Sequence, residues 1–351
     1  MGAKDTIMQS RDSWVVVGLD NGGSSNNATV LDASGRFLVD ELVELPSRVD
    51  EGPDVAIEAL ADTFELVLRR TGVARERVRA VGLDTPGPAS ADGVISSKGA
   101  TNFSQPAWWG FDFRGALEAR LELPVVYNND GNAAALYAHH VHFGNEAGSR
   151  SSVSAIVGTG LGGGVIEAGQ VVRGAAGMAG ELGHLPIPME GLLDPGQPVP
   201  VCGCGQAGDV ESIASLTAIR NHLLPYELSR NPDHELAEIE SPVQAARLVR
   251  SYGEKGDPLA LRIFEKQAKA LGRLFHIAAN FTDPDAYFVG GGVVQTEPHF
   301  REWFLAKVIE NTRLREEQAK VATFALVPDL DMAGARGSAF AALASVTDTG
   351  D

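Results

Sequence analysis

Residues 153–166 read VSAIVGTGLGGGVI, an apolar run that passes into a cluster of glycines. Runs rich in valine and isoleucine and bounded by glycine are typical of a buried β-strand that enters a tight turn. Such a turn lets backbone N–H groups approach an anion, because no Cβ stands in the way. This stretch therefore predicts a hairpin loop that can hold phosphate.

Two further stretches share this organisation. Residues 14–25 read WVVVGLDNGGSS, and residues 286–292 read AYFVGGG. One glycine loop of this kind is explained by an ordinary tight turn or bulge. Three such loops in one chain favour nucleotide binding over that explanation.

The residues after the first two glycine loops repeat one unit. The segments 28–39, ATVLDASGRFLV, and 165–172, VIEAGQVV, each predict a strand, a turn and a second strand. An internal repeat of this kind indicates a duplicated fold in which two hairpin loops hold nucleotide phosphates.

Two familiar phosphate-binding loops are excluded by the sequence. No Gly-Lys-Ser or Gly-Lys-Thr occurs in the chain, so a P-loop is excluded. Gly158, Gly160 and Gly163 fit the pattern G-x-G-x-x-G, but a strand follows them where a dinucleotide-binding fold requires a helix.

Helical segments lie between the strands, so the predicted fold class is mixed α/β. Residues 53–70 place Leu60, Phe64 and Val67 on one helix face. Asp257-Pro258 is typical of an N-cap followed by proline at the first helical position.

The chain length suits two domains, because 351 residues exceed the roughly 100 to 200 residues of one domain. We expect a small N-terminal α/β domain at 1–128, completed by a C-terminal helix at about 335–351. The large domain is expected at 129–334 and contains a zinc-type loop at 184–211.

Charge and cysteine content limit the class of protein. The formal net charge of −17 disfavours nucleic acid as a partner, because phosphate binding depends on positive fields. The only two cysteines, Cys202 and Cys204, cannot form a disulfide framework, which predicts a cytoplasmic protein. Residues 1–13 lack the apolar core of a signal peptide, and no apolar run approaches the roughly 20 residues of a membrane span, so no membrane partner is expected.

Asp130 is the first candidate for catalysis. Residues 123–135 read LPVVYNNDGNAAA, which predicts a strand, a sharp turn at Asp130 and the start of a helix. A carboxylate at this edge of a parallel sheet could accept a proton from a substrate hydroxyl. It could equally act only as the N-cap of the helix.

A candidate metal site follows in the sequence. His184 is followed by Cys202, Cys204 and nearby carboxylates, which are residue types that suit a tetrahedral zinc ion. A lone Cys-x-Cys is weak evidence, since buried and inert cysteines are common. The adjacent glycine turn and the histidine favour metal.

The chain resembles the ROK proteins (repressors, open reading frames and sugar kinases) from about Val15 to its end. The resemblance rests on motifs in the family's order: Asp20-x-Gly22-Gly23, Asn129-Asp130-x-Asn132-Ala133-Ala134, Gly158-Thr159-Gly160-x-Gly162-Gly163-Gly164, Glu181-x-Gly183-His184 and Cys202-x-Cys204-Gly205-x-x-Gly208-x-x-Glu211. It implies a duplicated actin-like, hexokinase-type (ribonuclease H-like) ATPase fold, with ATP and sugar in a cleft between two domains.

The resemblance also implies roles for individual residues. Asp130 corresponds to the catalytic base. The sugar-hydroxyl ligands correspond to Asn102, Asn129, Glu181, His184 and Glu211. The phosphate loops correspond to Asp20, Gly22, Gly23, Ser24, Thr159 and Gly160, and the nucleoside end corresponds to Gly290, Gly291 and Gly292. Magnesium is expected near Asp20 to offset the phosphate charge.

The sequence departs from the family at the metal loop. Asp209 stands where the family usually has a third cysteine, so the expected zinc ligands are His184, Cys202, Cys204 and Asp209. Carboxylate oxygen is an acceptable zinc ligand. The alternative is a metal-free loop in which Asp209 caps a helix that begins near Val210.

The leading functional hypothesis is an ATP-dependent hexose kinase that phosphorylates glucose or a close relative at the 6-hydroxyl, with N-acetylhexosamine or fructose as alternative substrates. A sugar-responsive transcriptional regulator is disfavoured by the charge and by the 13 residues that precede Trp14. A non-catalytic sugar sensor is expected to lack the base, whereas Asp130 is present. Members of the family are usually dimers or tetramers, so the resemblance predicts a homodimer or homotetramer.

A side chain at Gly160 is expected to weaken ATP binding and to leave sugar binding little changed.

Overall fold

Two mixed β-sheets organise the protein, and the computed structural model describes residues 14–87, 90–96, 103–327 and 330–347. One compact unit comprises the described parts of 1–147, 169–179 and 329–351, and the other comprises those of 148–168 and 180–328. The strands are β1 Val15–Asn21, β2 Ser25–Asp32, β3 Val43–Pro46, β4 Val78–Thr85, β5 Val125–Asn129, β6 Ser152–Val157, β7 Leu161–Glu167, β8 Gln170–Val171, β9 Ala286–Gly291 and β10 Thr323–Leu326.

The helices that begin at Pro53 and Pro258 start where the sequence predicts them. The helices are α1 Pro53–Thr71, α2 Phe113–Leu121, α3 Asp130–Phe143, α4 Leu216–Ala218, α5 Leu224–Arg230, α6 Pro242–Glu254, α7 Pro258–Phe281, α8 Pro298–Asn311, α9 Glu316–Ala319 and α10 Leu330–Thr347, with a π-helical turn Ile219–Leu223 between α4 and α5. Asp257 caps α7 by accepting a hydrogen bond from the Ala260 N–H, as predicted (2.8 Å).

The two sheets repeat one topology, which confirms the predicted duplication. The first sheet has the order β3-β2-β1-β4-β5, in which β1 pairs antiparallel with β2 and parallel with β4. The second contains the order β10-β9-β6-β7, in which β6 pairs antiparallel with β7 and parallel with β9. Each glycine loop that follows a repeat's first strand is therefore a hairpin turn.

The third strand of the first repeat differs from the prediction. The segment 37–39 forms only an isolated bridge between Leu31 and Phe37, and the strand that pairs with β2 is β3. The reason lies in the register, because β3 pairs with residues 25–28 at the glycine-loop end of β2. The chain therefore runs past the turn at 32–35 before it rejoins the sheet.

Helix α10 packs directly on the first sheet. A Cβ at Gly18 of β1 would overlap the Ala335 carbonyl oxygen, and one at Gly82 of β4 would overlap the Ser338 carbonyl oxygen. Glycine at both positions lets the helix backbone approach the strands without a clash. Helix α3, which the sequence analysis assigned to the second domain, also belongs to the first unit and packs against α10.

The opposite face of the first sheet carries the apolar core. Alternate residues of β1 (Val15, Val17 and Leu19) join a cluster that includes Phe64 of α1. Because side chains alternate along a strand, Asp20 lies on the other face, with Gly18. The period of the strand therefore places a carboxylate toward α10.

Candidate functional site

The β6–β7 hairpin is a short glycine turn that its surroundings hold in place. The Gly158 N–H donates to the Gly160 carbonyl oxygen (2.9 Å). The carbonyl oxygen of Gly158 accepts from the Leu216 N–H (3.0 Å), and that of Thr159 accepts from both the N–H (3.1 Å) and the hydroxyl (2.8 Å) of Thr217. The start of α4 therefore fixes the predicted phosphate loop.

A cavity of about 340 Å³ opens beside this hairpin. Its lining residues are Val157, Gly158, Thr159, Leu216, Ile219, Ala246, Arg247, Arg250, Phe264, Gln267, Gly292 and Val293. Concave, mostly apolar sites with a few polar groups are typical small-molecule sites. Two residues predicted to bind cofactor, Thr159 and Gly292, thus line one cavity, whereas Gly160, Gly290 and Gly291 are outside that lining.

Sequence reasoning missed the contribution of α6 to this cavity. Arg247 and Arg250 are exposed arginines three residues apart on that helix, and Arg250 Nη1 donates to the Gly292 carbonyl oxygen (3.0 Å). Their spacing places them on one helix face. No local motif marks them, because their role depends on where α6 packs.

The β1–β2 hairpin contains the other predicted phosphate residues. The Gly22 N–H donates to the Ser25 carbonyl oxygen (2.8 Å), and the Ser24 carbonyl oxygen accepts from the Ser47 N–H (3.1 Å). Gly23 lies exposed in the turn between them. Asp20 lies just before this turn and accepts a hydrogen bond from Asn27 Nδ2 (3.0 Å).

Asp84 is a buried carboxylate that the sequence analysis did not single out. It is the second-last residue of β4, in register with Asp20 on β1, and Ser338 Oγ donates to its Oδ2 (3.2 Å). Burial raises the pKa of Asp84 well above its usual value, and the charges of Asp20 and Asp130 raise it further. Burial also raises the pKa of Asp20. The only available signal was one acidic residue at the end of the apolar run 80–85.

Asp130 is the first residue of α3, and Asn129 is its N-cap. Asn129 Oδ1 accepts from the Asn132 N–H (2.7 Å), whereas Asp130 Oδ1 accepts from the adjacent Gly131 N–H (2.7 Å). The alternative in which Asp130 acts as the helix N-cap is therefore wrong. The neighbouring Asn129 performs that role, and Asp130 lies directly after β5, in the first turn of the helix.

Four side chains converge in the second unit as a candidate metal centre. His184, Cys202, Cys204 and Asp209 each offer one ligand atom, and these atoms lie within 4.8 Å of one another. His184 Nδ1 is 3.8 Å from Cys202 Sγ and 3.4 Å from Asp209 Oδ2, which is 3.6 Å from Cys204 Sγ. Tetrahedral zinc with bonds of about 2.0 to 2.3 Å requires separations of about 3.3 to 3.8 Å. The residues present fit zinc.

Tight turns and short bridges bring these side chains together. The Cys202 N–H donates to the Gln206 carbonyl oxygen (2.8 Å), which folds the two cysteines into one turn. Pro186 forms a bridge with Asp209, which brings the segment after His184 against the last ligand. Burial raises the pKa of the Cys202 thiol well above its usual value.

Asp209 uses its two oxygens separately. Oδ1 accepts from the Ser212 N–H (2.8 Å), while Oδ2 faces His184 and Cys204. The alternative of a helix that begins near Val210 is wrong, because residues 209–215 form turns and α4 begins only at Leu216. Asp209 therefore stabilises a turn and still presents an oxygen to the cluster.

Glu211 lies between the cluster and the β6–β7 hairpin. Its Oε2 accepts from the Leu161 N–H (2.8 Å), and its Oε1 accepts from the Cys202 thiol (3.3 Å). A Cβ on Gly160 would stand 2.5 Å from Glu211 Oε2. The expectation that a side chain at Gly160 affects only ATP is therefore revised, because it would also displace this predicted sugar ligand.

The remaining predicted sugar ligands are distributed along the chain. Glu181 precedes the 3₁₀ turn Leu182–His184, and its carbonyl oxygen accepts from the His184 N–H (3.2 Å). The sequence spacing thus places Glu181 and His184 in one turn of the second unit. Asn102 lies outside the described residues.

Comparison with known proteins identifies the class to which this fold and these sites belong. The model of the ROK family matches residues 16–345. The chain is 30% identical over 315 residues to a glucokinase of Halalkalibacterium halodurans, a match that covers 87% of this chain and 90% of the relative. The protein belongs to the ROK family.

Solved structures agree with this assignment. A ROK hexokinase from Thermus thermophilus superposes with a TM-score of 0.74 at 33% identity, over 95% of this chain and 99% of the other. A ROK glucokinase from Streptomyces griseus, solved with glucose and AMPPNP, gives a TM-score of 0.68 at 27% identity, over 93% of this chain and 99% of the other. The predicted duplicated, actin-like α/β fold is confirmed.

Within the described ranges, none of the helices has the length and apolar character that a membrane crossing requires.

Proposed function

We propose that this ATP-dependent sugar kinase transfers the γ-phosphoryl group of ATP to the 6-hydroxyl of a hexose, glucose or a close relative. The observation that carries the proposal is the position of Asp130, which directly follows a parallel strand and begins the helix that Asn129 caps. Phosphoryl transfer depends chiefly on positioning and on charge neutralisation, so one oriented carboxylate is the main chemical group required.

The second unit supplies the proposed donor site. The apolar walls of the cavity suit a nucleoside, and Thr159 in its lining, with the adjacent Gly160 of the hairpin turn, suits the phosphates. The β1–β2 hairpin, with Gly22, Gly23 and Ser24, supplies backbone groups of the kind that hold phosphate. Magnesium, when bound near Asp20, would offset the phosphate charge.

The proposed reaction assigns one proton transfer to Asp130. The carboxylate accepts the proton of the 6-hydroxyl as the hydroxyl oxygen bonds to the γ-phosphorus. The bond from that phosphorus to the bridging oxygen breaks, and ADP leaves. The hexose hydroxyls are assigned to Asn102, Asn129, Glu181, His184 and Glu211, and unpaired ligands of this kind reject sugars that lack a hydroxyl.

We assign zinc to the cluster of His184, Cys202, Cys204 and Asp209. Zinc held by four protein ligands is structural, so its contribution here would be to order the loop that carries the sugar ligands. Since Nδ1 of His184 faces the cluster, Nε2 is left as a hydrogen-bond donor toward a substrate hydroxyl. Glu211 would lie beside the same proposed sugar site.

ADP release measured across a panel of hexoses tests the proposed activity. We expect turnover with glucose or a close relative, and N-acetylhexosamine and fructose in the panel test the alternative substrates. A protein that binds sugar without ADP release would instead be the sensor or regulator considered above.

The Asp130→Asn variant tests the assigned base. Loss of a general base lowers the rate by about 10² to 10⁴, and unchanged thermal unfolding would show that the fold persists. Asp233→Asn, a change at an exposed residue, is the matched control. Turnover of Asp130→Asn within a few-fold of the parent protein would remove Asp130 from this role.

A further inference from the structure

Glu211 joins the β6–β7 hairpin to the metal cluster through the two oxygens of one carboxylate. Oε2 accepts from the N–H of Leu161, the residue directly after the glycine turn, at 2.8 Å. Oε1 accepts from the thiol of Cys202, a member of the cluster, at 3.3 Å. The Cys202 bond needs the thiol proton, which zinc binding would release, so with zinc bound the link depends on the Leu161 bond and on the backbone of Glu211.

The backbone of Glu211 restricts this side chain further. Its N–H donates to the Gly183 carbonyl oxygen (2.8 Å), next to His184, and its carbonyl oxygen accepts from the Ser215 hydroxyl (2.8 Å). Ser215 caps α4, the helix whose first two residues bind the hairpin carbonyls. The segment 211–215 is thus hydrogen-bonded to Gly183, next to the cluster residue His184, and it leads into the helix that holds the hairpin.

Close packing at Gly160 makes the two positions interdependent. An added Cβ would meet Glu211 Oε2 at 2.5 Å and its Cδ at 3.3 Å, which is closer than non-bonded atoms approach. The colliding atoms are the end of a flexible side chain. A methyl group at Gly160 would therefore displace the Glu211 carboxylate and leave the backbone in place.

We propose that Glu211 is a positioning residue that links the metal cluster to the phosphate hairpin, so that zinc and nucleotide each strengthen the binding of the other. The inference rests on the proposed function, which assigns the cluster to zinc and the hairpin to phosphate. It goes beyond that function because it gives Glu211 a role that does not involve sugar.

The direction of the effect follows from ordering. A metal ion held by Asp209 and the two cysteines restricts the segment that presents Glu211 two residues later. Glu211 then holds the Leu161 N–H, and the hairpin loses less conformational entropy when phosphate binds. Linkage requires the effect to be reciprocal, so nucleotide must raise zinc affinity by the same factor.

Calorimetric titration with AMPPNP tests the link when sugar is absent and magnesium is in excess. We expect the Kd of the zinc-loaded protein to be lower than that of the chelator-treated protein by about fivefold or more. Competition with a chromophoric chelator, with and without AMPPNP, should show that AMPPNP raises the zinc affinity by the same factor.

Variants of Glu211 separate the link from a general loss of structure. Glu211→Ala should make the Kd for AMPPNP independent of zinc, whereas Glu211→Gln keeps an acceptor for the Leu161 N–H and should keep the dependence. Glu190→Ala, at an exposed carboxylate of the same loop, is the control and should behave as the parent protein.

A pair of hairpin variants tests the link from the opposite side. Gly160→Ala should weaken zinc binding by about fivefold with no nucleotide present, because the displaced Glu211 carboxylate disturbs the segment that carries Asp209 two residues earlier. Gly158→Ala is the matched control, because a Cβ there meets only the Gly160 carbonyl oxygen at 4.0 Å.

The outcomes distinguish the inference from the proposed function. Equal Kd values for AMPPNP with and without zinc overturn the link and leave both sites intact. Zinc affinity of Gly160→Ala equal to that of Gly158→Ala overturns it as well. Protein that binds no zinc overturns the cluster assignment together with the link, and protein that binds no AMPPNP overturns the donor site together with the link.

Discussion

Asp20 and Asp84 are directly paired in register on neighbouring parallel strands, and their carboxyl groups share the sheet face that α10 covers. A Cβ at Gly334 of α10 would stand 2.8 Å from Asp84 Oδ2 and 3.0 Å from Asp20 Oδ2. Two carboxylates that share one poorly hydrated face do not both ionise readily, and burial together with the charge of Asp20 raises the pKa of Asp84 well above its usual value.

Asp84→Asn should change how stability depends on pH. The folded pKa of Asp84 is raised above that of the unfolded chain, so the folded state binds more protons and the free energy of unfolding falls as pH rises above about 4. Asparagine is neutral throughout. The variant should therefore gain Tm relative to the parent protein between pH 5 and pH 8.

Thermal unfolding at those two pH values, without nucleotide or magnesium, measures this difference. A shift of about 2 to 4 °C corresponds to roughly 1 kcal/mol for a domain of this size. A Tm difference between the two proteins that is the same at both pH values would contradict the raised pKa of Asp84.

Removal of Asp209 should remove zinc. We expect about one zinc per parent chain, as four protein ligands suit one ion, and little in Asp209→Ala, with a rise in the KM for hexose. Asp209→Cys should retain the metal, because thiolate is the softer ligand, although the turn at Ser212 loses its acceptor. Metal analysis of protein purified without chelators decides this, and active parent protein without zinc would refute the site.

Ala246→Trp should close the donor cavity. Ala246 is buried in its wall, and an indole there would occupy space that we assign to the nucleoside. We expect the Kd for AMPPNP to rise by more than tenfold, since the substitution removes apolar contacts of about 2 kcal/mol. Gln244→Trp, on the exposed side of α6, is the control. Equal Kd values in calorimetry would exclude this cavity as the nucleoside site.

Lys266→Met should destabilise the fold. Lys266 Nζ lies 3.0 Å from Asp194 Oδ2, Gln197 Oε1 and Glu227 Oε1, and both Lys266 and Glu227 are buried. Removal of one partner of a buried ion pair costs about 3 to 5 kcal/mol, and Arg262, which also contacts Glu227, should keep the loss near the lower value.

Urea denaturation of Lys266→Met measures that loss. The exposed pair of Lys320 and Glu316 provides the comparison, because Lys320→Met should change the free energy of unfolding by less than about 1 kcal/mol. Equal effects of the two substitutions would show that the buried pair adds nothing to stability.

Local sequence patterns predicted much of the fold and part of the candidate site. Features that depend on residues within a few positions of one another could be predicted from the sequence. They are the glycine turns, the duplicated strand–turn–strand unit and the start of α7 at a proline. The structure also brings together the four residues that the sequence predicted as a candidate metal site, since His184 and Asp209 are only 25 residues apart. The prediction of a strand at 37–39 was wrong, because the register in which a segment pairs with β2 is not determined by that segment alone.

The sequence alone was thus sufficient for the α/β class, the glycine hairpin turns and the four residues of the candidate metal cluster. Only the tertiary structure paired Asp20 with Asp84, placed Arg247 and Arg250 at the cavity beside the β6–β7 hairpin, and set Glu211 against both Leu161 and Cys202. Periodicity and turn chemistry report the conformation of a short segment. Contacts between residues 50 or more positions apart, such as Leu161 and Glu211, arise only after sheet register and helix packing are fixed.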